Sequence, residues 1–183
     1  MLPKPSETSN IDSEAFIAVG SNIEPHQNVS QALRILSKYV TICSISNFYR
    51  SQATERAEQN DFINGVVKIL TTHQPRELKF DVLREIESQL GRIRTDDKHA
   101  ARTIDLDLIL YDDVTTNEAD LILPDPSINI YPFVAVPLLE LLPDLILPGT
   151  RVRLDTVRAA LETNTLHPQD KLTDQLRSQF LNK

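Results

Sequence analysis

The run Phe62-Ile63-Asn64-Gly65-Val66-Val67-Lys68-Ile69-Leu70 is rich in β-branched and apolar residues and has the length of a strand. Side chains alternate across a strand, so Phe62, Asn64 and Val66 point one way and Ile63, Val67 and Ile69 the other. One face is wholly apolar, and the other pairs an aromatic with an amide. Residues 51–61, just upstream, are polar and aperiodic and read as a long loop, of a length more often functional than short loops are. Before that loop, residues 40–49 are rich in Val, Ile, Thr and aromatics and read as another strand. Residues 15–19 form a short apolar run that stops at Gly20, and read as a first strand. Between these two, Pro25 can open a helix along which Val29, Ala32, Leu33 and Leu36 recur at helical spacing.

Downstream, Pro75 opens a second helix, with Leu78, Val82, Ile86 and Leu90 on an i, i+4 stripe. Gly91 is placed to end it in a left-handed cap. A charged stretch, 92–102, leads into a strand over 103–111. Residues 132–142 read as an apolar helix and 154–161 as another. The order β-α-β-β-α-β predicts an α+β fold of the ferredoxin-like, split βαβ kind: a mainly antiparallel sheet flanked by helices. Residues 1–14 read as a flexible polar leader and 163–183 as a polar tail, with one peripheral helix as an option. The domain proper is expected over 15–162.

The chain has 183 residues, enough for one domain with its own core, and a globular 40% hydrophobic content. No stretch approaches the roughly 20 apolar residues that span a bilayer, and the first residues lack the apolar centre of a secretory signal. A cytoplasmic location with no membrane partner is the expectation. Cys43 is the sole cysteine, which excludes an intrachain disulfide, and it reads as a small buried apolar side chain. With 26 acids against 19 bases the net charge is −7, which argues against a nucleic-acid partner. A ferredoxin-like RNA-binding module should carry a basic sheet face with exposed aromatics, and this chain has 5% aromatics and no such motif.

The chemistry concentrates in Arg102-Thr-Ile-Asp105-Leu-Asp107-Leu-Ile-Leu110. In a strand, Ile104, Leu106, Leu108 and Leu110 fill one face while Asp105 and Asp107 share the other, their Cα atoms roughly 6.5–7 Å apart. Two carboxylates so close repel unless a cation lies between them or water screens them. Magnesium is usually held by one or two carboxylates plus substrate phosphates. A solvated strand face that happens to carry two acids meets the same spacing. Arg92, Arg94, Lys98 and Arg102 precede these acids in an otherwise acidic chain, and guanidinium groups bind phosphate oxygens bidentately. A polyphosphate with bound magnesium would unite both clusters. There is no glycine-rich phosphate loop, so side chains would have to hold any nucleotide.

Gly20-Ser-Asn22, Phe48-Tyr-Arg50, Asp61-Phe-Ile-Asn64, Gly91-Arg92 and Arg102-Thr-Ile-Asp-Leu-Asp107 follow one another in an order and at separations that resemble the 6-hydroxymethyl-7,8-dihydropterin pyrophosphokinase family. The resemblance covers residues 16–149. It implies a monomeric enzyme of folate biosynthesis that uses ATP as co-substrate and two Mg²⁺ ions, and releases AMP. Carried onto this chain, Asp105 and Asp107 would ligate the metal, and Arg92 and Arg102 would act as catalytic residues on the triphosphate. Glu87, Arg94 and Lys98 would bind ATP, although Glu87 also reads as an ordinary exposed helix acid. Gly20, Asn22, Phe62, Asn64 and Phe133 would bind the pterin, with Asn64 on its polar edge and the two phenylalanines stacking on its faces. Core packing is the other reading of those rings. The loops 51–61 and 92–102 would close over the substrates.

The chain departs from that pattern on the nucleotide side. His99 stands where a tryptophan is usual, Asp125 where a histidine is usual, and Tyr131 where an arginine is usual. The loop 51–61 also lacks the usual proline and glycine. A divergent pterin-binding relative with impaired ATP use is the principal alternative.

Overall fold

In a computed structural model the chain is described over residues 12–52, 60–93, 100–163 and 165–181. Most of the leader, the centre of the loop 51–61, and Arg94, Lys98 and His99 lie outside the described residues. Strand β1 (Ser13–Ser21) is followed by helix α1 (Pro25–Leu36) and strand β2 (Thr41–Ile45). A short strand β3 (Tyr49–Ser51) then precedes the long β4 (Phe62–Thr71). Helix α2 (Pro75–Glu77), a π-helical stretch (Leu78–Leu83) and α3 (Arg84–Gln89) run on as one continuous helix, and β5 (Asp105–Tyr111) is the next strand described. The strands lie in the order β5-β1-β4-β3, with β2 also on β4 and every pairing antiparallel. This is the expected ferredoxin-like arrangement.

After β5 comes a hairpin, β6 (Thr116–Glu118) and β7 (Leu121–Leu123), which the sequence reading did not anticipate. Arg76 of α2 ties it down through ion pairs to Glu118 and Asp120. Helices α4 (Pro132–Leu141) and α5 (Leu154–Ala159) follow. The chain then adds a two-residue strand, β8 (His167–Pro168), to the edge of β3, and a helix, α6 (Asp170–Phe180).

Two apolar clusters sandwich the sheet. Val29, Ala32, Leu33 and Leu36 of α1 meet Ile17, Val67, Ile69, Leu106 and Leu108 on one face, together with Leu78, Ile86, Leu172 and Leu176. On the other face, α4 and α5 bring Val134, Ala135, Leu138 and Leu154 onto Phe16, Val66, Ile109 and Leu110. Burying each such Leu or Ile fully contributes about 1.5–3 kcal/mol, so the two clusters supply most of the drive to fold.

Three local details correct the sequence reading. The strand expected over 40–49 is broken, because the three residues between Ile45 and Tyr49 oppose only the two between Val67 and Asn64. Ser46 sits at the break, its N–H donating to Val66 O while its hydroxyl accepts from Val66 N at 2.8 Å, a side chain standing in for a ladder carbonyl. In β5, a bulge opposite Phe16–Ile17 makes Ile109 the extra residue. It shifts the alternation, so Leu110 joins the cluster beneath α4 instead of sharing a face with Leu108. Cys43 is only half-buried.

Candidate active site

Gly20, Asn64 and Asp105 lie side by side across three neighbouring strands. Gly20 pairs with Asn64 of β4 on one side and with Asp105 of β5 on the other. A Cβ on Gly20 would come within 2.6 Å of Asn64 Oδ1 and 4.0 Å of Asp105 Cβ, so a glycine is what lets the amide and the carboxylate flank bare backbone. One step along the same face, Ala18 lies between Val66 and Asp107. Helix α4 covers the level of Phe16 and Val66 and leaves Asp107 exposed. The period-2 alternation therefore puts both acids and Asn64 at the open end of one sheet face.

The arginines reach Asp105 from two directions. The helix before Arg92 ends as the sequence suggests: Gly91 has φ +74°, its N–H donates to Ser88 O at 3.0 Å, and the Arg92 N–H donates to Glu87 O at 3.0 Å. This turn aims the Arg92 guanidinium back toward the sheet, where it donates to Glu87 Oε1 and Asp105 Oδ1. Burial works against the Arg92 charge, but Asp105 and Glu87 outweigh it and hold the group above its usual value. Arg102 donates to the other oxygen of Asp105 and, at 28% side-chain exposure against 10% for Arg92, is the more accessible of the two.

Glu87 is buried, which removes the exposed-acid reading. Its Oε1 also accepts the Leu106 N–H at 2.9 Å, so it braces both β5 and Arg92. The widened π-helical turn before it contributes, since one extra residue per turn rotates the succeeding side chains about the helix axis.

Asn22 works largely as a tether. Its Oδ1 accepts the Arg102 N–H at 2.7 Å, its N–H donates to Arg102 O, and its Nδ2 donates to Asn60 O. Ser21 Oγ adds a bond to Thr103 O at 2.6 Å. The segment carrying Arg102 is thus pinned to the exit of β1.

Among the described residues no group of three or more His, Cys, Asp or Glu is arranged to hold a metal ion. Among the described residues, protein ligation would come from Asp105 and Asp107, with phosphate and water adding to the shell, a donor set suited to magnesium. The local charge fits such an ion. Recession among protein atoms, then Asp105, Asp125 and Glu87, push the Asp107 carboxyl up to about 7, with Arg92 pulling the other way. Solvent reaches this side chain, which tempers the effect, but the direction is that of an acid short of positive charge. Thr103 Oγ1, beside Arg102, is a buried oxygen with no hydrogen-bond partner among the described residues.

The aromatic residues are less united. Phe62 opens β4, half-buried on the Asn64 face, while Phe133 lies at the start of α4 against the second cluster. Tyr131 stacks on Phe133, with centroids 5.0 Å apart and planes inclined 16°. Asp125 caps a short 3₁₀ turn (Pro126–Asn129) by accepting the Ser127 N–H. The sequence reading missed Ser51, whose buried Oγ accepts a bond from Asn64 Nδ2 at 3.1 Å. Its only signal was its place at the end of a β-rich run.

The model of one protein family, described as 7,8-dihydro-6-hydroxymethylpterin-pyrophosphokinase (HPPK), matches residues 16–143. The chain is 34% identical over 147 residues to the 2-amino-4-hydroxy-6-hydroxymethyldihydropteridine pyrophosphokinase of Haemophilus influenzae, covering 79% of this chain and 91% of that one. A protein of the same name from Synechocystis is 39% identical over 137 residues, covering 73% and 69% respectively. Among solved structures, the chain resembles an HPPK-DHPS in complex with substrates, with a TM-score of 0.64 at 11% identity over 82% of this chain. Plasmodium falciparum HPPK-DHPS with pterin and p-hydroxybenzoate gives 0.65 at 12% identity over 96%. At such identities the likeness concerns the fold, and the chain spans only 43% and 44% of those two structures.

Proposed function

This chain belongs to the 7,8-dihydro-6-hydroxymethylpterin-pyrophosphokinase family, and from that premise we propose how its residues divide the work of the reaction. The enzyme transfers pyrophosphate from ATP to the hydroxymethyl group of 6-hydroxymethyl-7,8-dihydropterin, a step of folate biosynthesis. The hydroxymethyl oxygen forms a bond to the β-phosphorus, the bond from that phosphorus to the α,β-bridging oxygen breaks, and AMP leaves with the electron pair. The hydroxyl proton passes to solvent.

The observation that carries the reading is the row Asn64, Gly20, Asp105 on adjacent strands, with Asp107 beside it. Asn64 offers an amide to the polar edge of a pterin, and bare backbone at Gly20 lets the flat ring approach, with Asn22 beside it holding the Arg102 segment in place. Phe62 and Phe133 supply apolar faces for it. Asp105 and Asp107 would hold two Mg²⁺ ions, which supply charge neutralisation at the phosphates and acidify the hydroxymethyl oxygen. Arg102 exchanges Asp105 for the triphosphate, and Arg92 stays braced by Glu87 while facing the same phosphates. Arg94 and Lys98 belong to the nucleotide side. We take the enzyme to be a cytoplasmic monomer. No helix among the described residues is long and apolar enough to cross a membrane.

The test is AMP release from ATP and magnesium with and without the dihydropterin. Pterin-dependent AMP is the expected result. A second reading, a pterin binder with impaired ATP use, draws on Asp125, which adds negative charge near Asp107, and on Tyr131, an aromatic ring where a cation is usual. Saturable pterin binding without AMP would favour it.

A further inference from the structure

The backbone of Asn47–Phe48 leaves the sheet ladder, so its polar groups need other partners. The last helix and the residue before it provide those of Phe48. The Phe48 N–H donates to Thr173 Oγ1 at 3.0 Å, and Phe48 O accepts the Gln169 N–H at 2.8 Å. Arg177 donates from Nε to Ile45 O at 3.0 Å and from Nη2 to Asn47 Oδ1 at 3.1 Å. Thr173, Leu172, Leu176 and Phe180 are all buried, so α6 is firmly seated. From the opposite face, Glu140 of α4 accepts the Asn47 N–H at 2.7 Å and the Tyr49 hydroxyl.

The clamp meets β4 from the face opposite the substrate side and reaches that side through β3. The Phe48 ring packs so closely on Gly65 that a Cβ there would come within 2.8 Å of it, and Gly65 adjoins Asn64. Beyond Phe48, β3 pairs Tyr49 with Asn64 and Ser51 with Phe62. Ser51 Oγ then takes the Nδ2 end of the Asn64 amide, leaving Oδ1 directed at Gly20. A serine hydroxyl can both donate and accept, so this bond fixes where the amide lies and how it is turned, whichever end it presents to a ligand.

We propose that α6, which lies outside the 16–143 span of the family match, acts through Thr173 and Ser51 to orient the Asn64 amide and so sets affinity for the pterin. Thr173 and Ser51 are positioning residues. The proposal rests on the assignment of Asn64 to the pterin under the proposed function.

The experiment uses the full chain and reads AMP release together with direct titration of the dihydropterin. The wild type is measured first. If it neither binds pterin nor releases AMP, the functional reading falls and this proposal with it. Given an active wild type, Thr173→Val should raise the pterin KM and Kd about 5- to 20-fold, as small misplacements at a site do, with the ATP KM and kcat nearly unchanged. Thr173→Ser should restore wild-type behaviour. Ser51→Ala should show the same split, and the double variant should be little worse than Ser51→Ala alone, because both act on one amide. Arg177→Met, which keeps the threonine bond, should shift pterin affinity less in the same direction and serves if the valine variant does not fold. An unchanged pterin KM in these variants, a parallel rise in both substrates' KM, or full additivity in the double variant would overturn the proposal.

Discussion

Asn64 Oδ1 faces the Gly20 backbone so closely that a Cβ on Gly20 would sit 2.6 Å from it. Gly20→Ala must therefore displace the amide, since the alternative is to move two strands of a six-stranded sheet. The variant should fold, lose about 1–3 kcal/mol of stability from overpacking, and raise the pterin KM roughly 10- to 100-fold. Denaturant melts and initial rates across pterin concentrations check both parts. An unaltered pterin KM would mean the amide does not meet the ring.

Asp107→Asn should cost at least about 100-fold in turnover, the scale of losing a principal electrostatic contact. It should also make the metal-free protein more stable at pH 8. The folded carboxyl sits at about 7, above its unfolded value, so the folded state binds the proton more tightly. Stability is then fully present below the unfolded pKa and declines as pH rises through about 7. Asparagine removes that decline. Thermal melts in a chelator at pH 5 and pH 8 measure it; equal pH responses in both proteins would contradict the crowding of acids around Asp107.

Arg102→Ala should lower kcat about 100- to 1,000-fold while pterin affinity measured by titration calorimetry stays near wild type. Its guanidinium is the more exposed partner of Asp105, and its backbone is pinned separately by Asn22. A variant that keeps its kcat but loses pterin affinity would reassign Arg102 to the pterin side.

Tyr49 should be a late-titrating tyrosine among the four in the chain. Burial, then its bond to Glu140, push the phenol up to about 12. The neutral ring is the form the fold prefers, so this contribution is intact below the ordinary tyrosine pKa and disappears as pH climbs through about 12. Phenolate absorbance should show one delayed step, and Glu140→Gln should bring it earlier. No change in the titration would mean the Glu140 contact contributes little.

Much of this was legible in the chain because it depends on period. Alternation in β5 put Asp105 and Asp107 on one face, and Gly91 marked the helix end that launches Arg92. The features that escaped detection depend on counting across strands. The extra residue at Ile109 sends Leu110 to the opposite cluster, and the break at Ser46 splits one expected strand into two. Neither has a signature in local composition. Ser51 reads as the start of a loop in the sequence because its role appears only once β3 lies beside Asn64. Glu87 needed the widened turn before its burial was intelligible. The hairpin 116–123 was missed because its strands are short and its docking depends on distant Arg76.

The pairing of His167–Pro168 with Tyr49–Arg50 also governs how the protein meets other copies of itself. An open edge strand offers a row of free amides and carbonyls on which another chain can crystallise into sheet. Here the outermost position on that side is a two-residue strand ending in proline, which has no amide hydrogen to donate. The ladder stops at that residue. A chain cut before β8 would bare the flank of β3, and aggregation would become the hazard to watch during its expression and storage.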